Sequence, residues 1–278
     1  MKRMKPALQT MVIEEDIEKI GAYEALRKVK EIGYEVIEIS GHLNLDDEMI
    51  DQIERACKDF GLEVCALSCE YTGKVQRKSF FPGHRQLSLL NDFEGTVEVA
   101  KRLNCTTLRF AGQPVEMFHD DVEEMREYFR LTSEFAKRLA EEGITLCAHN
   151  HESEFHQIEG KTEWQWSVEE CPELHYEMDI FGVQMSGLSP IDFLKTAAGR
   201  VDLIHYSDIA IAVKEDPRFT LDMIQRVPLG LGNINAQAVK TAAEETGTRY
   251  FIMEAARMEG LDGYQVMKLA LDNYNKLV

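Results

Sequence analysis

Four apolar segments in the second half of the chain end in residues that bind metal ions or transfer protons. The segment TLCAH ends at His149, YEMD ends at Asp179, LIHY contains His205, and YFIM is followed by Glu254. A mixture of imidazole and carboxylate ligands suits Mn²⁺, Zn²⁺, Co²⁺ or Fe²⁺ better than Mg²⁺ or Ca²⁺, which prefer oxygen alone. The same groups exchange protons readily near neutral pH. The pattern therefore indicates one divalent cation with proton-transfer chemistry beside it.

Each of these residues has an ordinary structural explanation when it is taken alone. A single histidine at a strand end most often makes a hydrogen bond, and a single carboxylate is usually solvated. The metal interpretation rests on the set, because a barrel brings consecutive strand ends together around one axis, and burying these groups without a cation would leave unpaired charge. We predict one divalent ion, with Mn²⁺ ahead of the other three, bound by His149, Asp179, His205 and Glu254.

The elements that position these residues alternate between short apolar segments and longer segments of helical period, which is typical of βαβ units. Eight strands are predicted: Ala7–Val12, Glu35–Ile39, Glu63–Ser68, Thr106–Phe110, Thr145–His149, Leu174–Asp179, Asp202–Tyr206 and Tyr250–Glu254. Helices are predicted at Tyr23–Ile32, Asp46–Phe60, Glu94–Leu103, Val122–Glu142, Pro190–Ala198, Asn235–Glu245 and Gly263–Tyr274, with a loop at Phe181–Leu188. Eight such units, without a G-x-G-x-x-G turn after the first strand, favour a single-domain α/β (β/α)8 barrel over residues 1–278 rather than a doubly wound sheet.

Composition excludes several other classes of protein. The net charge of -18 and the lack of a Lys/Arg cluster disfavour a nucleic-acid partner. The six cysteines contain no CxxC pair, so neither a disulfide framework nor a structural zinc site is expected. The first apolar stretch is short and runs into acidic residues, so we predict neither a signal peptide nor a membrane anchor and expect a cytoplasmic protein. We also expect a homo-oligomer, and a small partner subunit stays open.

The motifs, in chain order, resemble those of the sugar phosphate isomerase/epimerase superfamily of xylose isomerase-like barrels, which includes inosose dehydratases and ketose 3-epimerases. The resemblance covers nearly the whole chain and rests on GYEVIEISG, AHNHESEF, YEMDIFGV, IHYSD, LGLGNIN and IMEAAR. It implies metal ligands on the last four strands, three of which fall at Asp179, His205 and Glu254. Where family members often read E-N-H, this chain reads H-N-H from His149, as in a related branch, which implies His149 as the fourth ligand.

The resemblance also implies proton transfer on a sugar-like substrate through an enediolate stabilised by the metal. Glu254 is then the remaining carboxylate of the family's two-glutamate pair, and His151 or His149 is its counterpart. A metal-dependent isomerase or epimerase is the leading prediction. A lyase or dehydratase shares the same enolate and stays open, acting on a keto-sugar, keto-inositol or 3-keto-glycoside, including as the catalytic subunit of a C-glycoside-cleaving complex.

Polar residues at or just beyond other strand ends are candidates for substrate contacts: His42, Glu70, Arg109, Gln113 and Arg257. Glu177 is either a hydrogen-bond partner of a metal ligand or a satisfied core carboxylate. Gly230 and Gly232 lie where barrels often hold phosphate, but a bare G-x-G is more often a turn, and nearby cations are few. A neutral sugar or polyol is therefore predicted as the substrate, rather than a sugar phosphate.

Overall fold

The computed structural model describes residues 3–70, 83–111, 121–212, 223–254 and 258–278. Its strands are β1 (Lys5–Gln9), β2 (Val36–Ile39), β3 (Glu63–Ser68), β4 (Thr107–Ala111), β5 (Thr145–His149), β6 (Gln157–Ile158), β7 (Lys161–Thr162), β8 (His175–Asp179), β9 (Val201–Tyr206), β10 (Asp208–Ile211), β11 (Ile224–Val227) and β12 (Tyr250–Met253). Eight of these strands close into a parallel barrel in the order β1-β12-β9-β8-β5-β4-β3-β2. The predicted single-domain (β/α)8 barrel is confirmed.

The helices surround the barrel and mostly begin at residues whose side chains cap them. They are α1 (Glu14–Ile20), α2 (Ala22–Glu31), α3 (Asp47–Phe60), α4 (Phe93–Arg102), α5 (Val122–Glu141), α6 (Glu163–Glu170), α7 (Ile180–Met185), α8 (Pro190–Thr196), α9 (Ala236–Thr246) and α10 (Gly263–Tyr274). Asp46 and Asp262, for example, accept backbone hydrogen bonds at the starts of α3 and α10. Gly61 and Gly247 end α3 and α9 in the left-handed conformation, as glycine permits.

Two predictions about these elements are wrong and one helix was not predicted, each because a local hydrogen bond decides where the element begins or ends. The first strand stops at Gln9, since its side chain accepts the Met11 N–H and a 3-10 helix follows. The predicted loop at Phe181–Leu188 is largely occupied by helix α7, because the Asp179 carboxylate caps it. Helix α6 was not predicted, and a capping box at Thr162 starts it.

The barrel interior changes from apolar to charged along its axis. A small cluster, separate from the main core, fills the amino-terminal part with Ala7, Val36, Cys65, Ala66, Cys147, Leu203 and Ile252. Four of its members stand two residues before a polar site residue on the same strand: Val36 before Glu38, Cys147 before His149, Leu203 before His205, and Ile252 before Glu254. Because side chains two apart on a strand share a face, each of these strands presents an apolar and then a polar group to the interior.

An antiparallel hairpin, formed by β10 and β11, follows β9 directly. Its base is fixed by Asp208, whose buried carboxylate accepts hydrogen bonds from the backbone N–H groups of Ile209, Gly230 and Ile234 at 2.9, 3.1 and 2.9 Å. A Cβ atom on Gly232 would lie 2.4 Å from Asp208 Oδ1, so glycine is required there. Asp208 therefore holds the segment that contains LGLGNIN against the hairpin.

Within the described ranges, no helix combines the length and the apolar content that crossing a membrane requires. All six cysteines are free, and five of them are buried.

Candidate active site

The four residues predicted as metal ligands lie at the carboxyl ends of four barrel strands that are consecutive around the barrel. His149 ends β5, Asp179 ends β8, His205 is the penultimate residue of β9, and Glu254 directly follows β12. Asp179 and His205 are direct neighbours in the parallel register of β8 and β9. All four are buried, with Glu254 the most accessible at 9%. The strand pattern thus places two imidazoles and two carboxylates at one end of the barrel.

Two buried carboxylates below the mouth orient the two imidazoles. His149 Nδ1 lies 2.9 Å from Glu177 Oε2, and His205 Nε2 lies 2.7 Å from Glu38 Oε2. A ring nitrogen that donates to a carboxylate leaves the lone pair of the neutral imidazole on the other nitrogen. For His205 this other nitrogen is Nδ1, which is buried without a hydrogen-bond partner and lies 3.8 Å from Glu254 Oε2. A cation that displaced the proton from this nitrogen would find a buried ligand atom there.

Arg109 supplies the positive charge of the layer below the mouth. Its Nε donates to Glu38 Oε1 at 2.8 Å and lies 3.3 Å from Glu177 Oε2, with only 12% of the side chain exposed. Burial would raise the pKa of Glu38, but His205 and Arg109 outweigh it and lower that pKa to about 2. Burial and the charge of Glu38 raise the pKa of Glu177 to about 8. Burial opposes the charge on His205, yet Glu177 and Glu38 raise its pKa well above the ordinary value.

The two carboxylates at the mouth have opposite pKa shifts. Burial, followed by the charge of Glu254, raises the pKa of Asp179 to about 7. Burial also acts to raise the pKa of Glu254, but its electrostatic interaction with His205 and the charge of Arg226 lower it to about 2. Burial lowers the pKa of His149 well below its ordinary value, and the nearby His205 charge adds to this. The site therefore holds a base that is ionised at neutral pH beside a neutral imidazole.

Two sets of residues in this region could hold a cation. The atoms that lie closest together belong to a buried triad, His149, Glu177 and His205, whose ligand atoms all fall within 4.8 Å of one another. However, Glu177 Oε2 is already paired with His149 Nδ1 and lies against the Arg109 guanidinium, so only Glu177 Oε1 has no hydrogen-bond partner in this carboxylate. The predicted set at the mouth has the unpartnered His205 Nδ1 instead. We therefore favour the mouth, with Glu177 orienting His149 from below.

Arg226 is a part of the site that the sequence analysis did not predict. It lies on β11 and reaches over the mouth, where Nη1 donates to Glu254 Oε2 at 2.8 Å and Nη2 lies 3.5 Å from Asp179 Oδ2. Its Cζ lies 4.2 Å from the centroid of the Phe181 ring. In the sequence Arg226 is one cation in a long segment between two strands, and no motif marks it.

His151 stands next to His149 at the mouth, with ring centroids 4.9 Å apart. Its backbone N–H donates to Glu154 Oε2 at 2.7 Å, which fixes the turn that follows β5. The ring is accessible to solvent, and the surrounding protein still lowers its pKa through desolvation. His151 is therefore available as a neutral imidazole near pH 7.

The residues predicted to contact substrate are placed unevenly. Arg109 is engaged inside the barrel by Glu38 and Glu177, as described above. His42 is half-exposed and lies 3.2 Å from Glu14. The Glu70 backbone exchanges two hydrogen bonds with the segment at residues 87–89. Gln113 and Arg257 lie outside the described residues.

Residues 26–273 match the sequence profile of the family described as xylose isomerase-like TIM barrel, and the chain belongs to this family. Its fold is similar to that of a sugar phosphate isomerase/epimerase from Parabacteroides distasonis, with a TM-score of 0.79, 17% identity and 98% of each chain covered.

Two further structures share the fold at comparable levels. The probable 3-DHS dehydratase AsbF, involved in petrobactin synthesis in Bacillus anthracis, has a TM-score of 0.71 and 18% identity over 98% of this chain and 99% of that chain. An L-ribulose 3-epimerase has a TM-score of 0.71 and 16% identity over 99% and 94%. No curated protein matches the chain by sequence. The resemblance stated from the motifs is confirmed at the level of family and fold.

The raised pKa of Asp179 generates a prediction about the metal-free protein. Because the folded state keeps the carboxyl protonated up to about pH 7, its contribution to stability is present at low pH and is lost as pH rises through that value. The substitution Asp179→Asn removes the carboxyl group that ionises, so the variant does not lose stability in this way as the pH rises. The unfolding free energy of the variant relative to wild type should therefore increase by about 2 kcal/mol between about pH 5 and pH 8.

Urea denaturation of chelator-treated protein at the two pH values measures this difference. Asp47→Asn, at a side chain that is 87% exposed on α3, is the matched control and should show no such growth. A difference that stays constant, or that shrinks toward pH 8, would contradict the pKa assigned to Asp179.

Proposed function

We propose that the protein is a metal-dependent isomerase or epimerase that transfers a proton on a neutral sugar or polyol. The observation that carries the proposal is the buried His205 Nδ1, which has no hydrogen-bond partner and faces the carboxylate of Glu254 beside Asp179. Two carboxylates buried this closely are costly unless a positive charge lies between them. One divalent ion, Mn²⁺ before Zn²⁺, Co²⁺ or Fe²⁺, would satisfy all three groups, and His149 is proposed as the fourth ligand.

The remaining residues have proposed roles that follow from their protonation. A bound cation supplies electrostatic stabilisation of negative charge on the substrate oxygens. Glu254, ionised at neutral pH, is suited to remove the carbon-bound proton, and His151, a neutral imidazole, is suited to move a proton at the other side. Glu38 and Glu177 hold the two imidazoles in orientation from below. His42, Glu70, Gln113 and Arg257 remain proposed substrate contacts.

The preference for an uncharged substrate is supported by Asp208. Barrels often hold phosphate on backbone amides near the last two strands. In this chain the amides of Gly230 and Ile234 donate to the Asp208 carboxylate at 3.1 and 2.9 Å. A carboxylate therefore stands where a phosphate would have to bind, and it would repel a dianion. The net charge of -18 would also repel a dianion as it approaches the protein.

A lyase or dehydratase acting on a keto-sugar, keto-inositol or 3-keto-glycoside is the second candidate. It is favoured by the chemistry of His151, because an imidazole that has first taken up a proton from solvent can give that proton to a departing hydroxyl group or to carbon. The similarity in fold to a probable dehydratase adds to this. Loss of water or of a sugar from the substrate would distinguish elimination from isomerisation. Homo-oligomerisation and a small partner subunit stay predictions in either case.

Proton transfer can be tested directly by solvent exchange. We expect the Mn²⁺-loaded protein, incubated in D₂O with ketoses, inososes and 3-keto-glycosides, to introduce deuterium at one carbon of one substrate class. Glu254→Gln should slow this exchange by about a thousandfold, because it removes the base, while some metal is retained. Mass spectrometry and NMR of the substrate report the exchange.

Glu259→Gln, at an exposed glutamate five positions further on, is the control and should exchange at the wild-type rate. If Glu254→Gln exchanges its substrate at a near-normal rate, Glu254 is not the base.

Substrate charge is tested with matched pairs of phosphorylated and unphosphorylated substrates. The wild-type protein should have the higher kcat/KM for the unphosphorylated member. Asp208→Asn, which removes the negative charge and keeps one acceptor oxygen, should reduce the difference in kcat/KM between the unphosphorylated and the phosphorylated substrate. A wild-type preference for the phosphate above about a hundredfold, equivalent to about 2.7 kcal/mol, would refute the neutral-substrate proposal.

A further inference from the structure

Arg226 bridges the two carboxylates to which the proposed function assigns the metal. Nη1 donates to Glu254 Oε2 at 2.8 Å, and Nη2 lies 3.5 Å from Asp179 Oδ2. We propose that Arg226 is a built-in competitor for the divalent cation: its guanidinium neutralises these carboxylates in the metal-free protein and must leave them when the ion binds. This inference rests on the proposed metal centre and concerns the affinity of that centre.

The oxygens that Arg226 contacts are those a cation would need. Asp179 Oδ1 already accepts the Phe181 N–H at 2.9 Å, so Oδ2 is its oxygen on the open side. Glu254 Oε2 is the oxygen that faces His205 Nδ1 at 3.8 Å. Arg226 thus contacts Glu254 Oε2, the oxygen that faces His205 Nδ1. It also lies against Asp179 Oδ2, the carboxylate oxygen that does not cap helix α7.

Charge makes the two occupants mutually exclusive. A divalent ion bound to these oxygens would lie within a few ångströms of the guanidinium, in surroundings where charges are poorly screened. The divalent ion alone balances both carboxylates and the guanidinium alone balances one of them, whereas both together would place three positive charges against two negative ones. Binding of the ion is therefore coupled to departure of Arg226 from Asp179 and Glu254.

The position of Arg226 permits this departure. Its side chain is 30% exposed, in contrast to 12% for Arg109 in the layer below. It is carried by the β10–β11 hairpin rather than by a barrel strand. The Phe181 ring lies under the guanidinium, 4.2 Å from Cζ, and offers a cation–π contact that does not involve the carboxylates. Arg109, by contrast, has no comparable route out of the barrel.

The chain offers a matched arginine for comparison. Arg102, on the outer face of the barrel, also bridges two carboxylates, with Nη2 at 2.6 Å from Asp51 and 2.7 Å from Glu54. Its side chain is 31% exposed, nearly the same as that of Arg226. Arg102→Met therefore removes a two-carboxylate bridge made by an arginine of the same exposure, between carboxylates that are 65% and 48% exposed, without approaching the proposed metal centre.

The test is Mn²⁺ binding to chelator-treated wild type, Arg226→Met and Arg102→Met, with free Mn²⁺ measured by electron paramagnetic resonance. Arg226→Met should bind Mn²⁺ at least about tenfold more tightly than wild type, because the competing charge is gone. Arg102→Met should match wild type. Without metal, Arg226→Met should have a lower Tm than wild type, since two carboxylates lose their counter-charge, and Mn²⁺ should raise its Tm by more.

A merely structural role cannot produce tighter binding, because damage to the fold weakens a metal site. Affinities for wild type and Arg226→Met within about twofold, or weaker binding by the variant, would overturn the inference while the proposed function stands. If neither protein takes up Mn²⁺, the metal centre itself is wrong and the inference falls with it. If Arg226→Met does not fold, Arg226→Lys is measured in its place, because one ammonium group bridges both carboxylates poorly. An Mn²⁺ affinity above that of wild type then supports competition by Arg226, and an unchanged Mn²⁺ affinity refutes it.

Discussion

Compensation of buried negative charge is the constraint on which the upper half of this barrel depends. Four carboxyl groups that are at most 9% exposed point into the same region, and each must either pair with a positive group or keep its proton, because an isolated buried charge is very costly. The protein provides the compensating positive groups in two layers. Arg109 is locked between Glu38 and Glu177, whereas Asp179 and Glu254 depend on His205 and on Arg226 from the hairpin.

The two layers have different consequences for function. The lower layer is held together by Arg109, so it fixes the directions of His149 and His205, and its Glu177 Oε1 atom has no hydrogen-bond partner. The upper layer is compensated by a side chain that can leave, so its carboxylates are available to another cation. A buried apolar cluster lies below both layers, and its low polarity strengthens each of these electrostatic interactions. Rigid support from below and an exchangeable counter-ion above together describe a site suited to binding a metal ion.

The sequence predicted the barrel and the strand ends well, because hydrophobic period and glycine C-caps are local signals. The strands at Glu63–Ser68 and Thr145–His149 have the predicted bounds. Alternation along β8 showed that Glu177 and Asp179 share a face, but it carries no information about depth along the barrel axis. It could not show that Glu177 belongs to the lower layer and Asp179 to the mouth.

Contacts across the barrel and from the hairpin were not predictable for a related reason. Glu38 meets His205 across 167 positions of sequence, and neither residue marks the other. Arg226 reaches the site only because β11 pairs back onto β10, which is a tertiary feature of a long connection. The Asp208 carboxylate binds backbone amides of residues that lie more than twenty positions further along the chain. Each of these depends on chain geometry that residue types alone do not encode.

Anomalous diffraction from Mn²⁺-soaked crystals tests most directly whether a cation binds at the mouth and displaces Arg226. We predict one anomalous peak bonded to Asp179, Glu254 and His205 Nδ1, with the Arg226 guanidinium withdrawn from both carboxylates. A peak at Glu177 below the mouth, or a peak at the mouth with Arg226 still bridging, would contradict it.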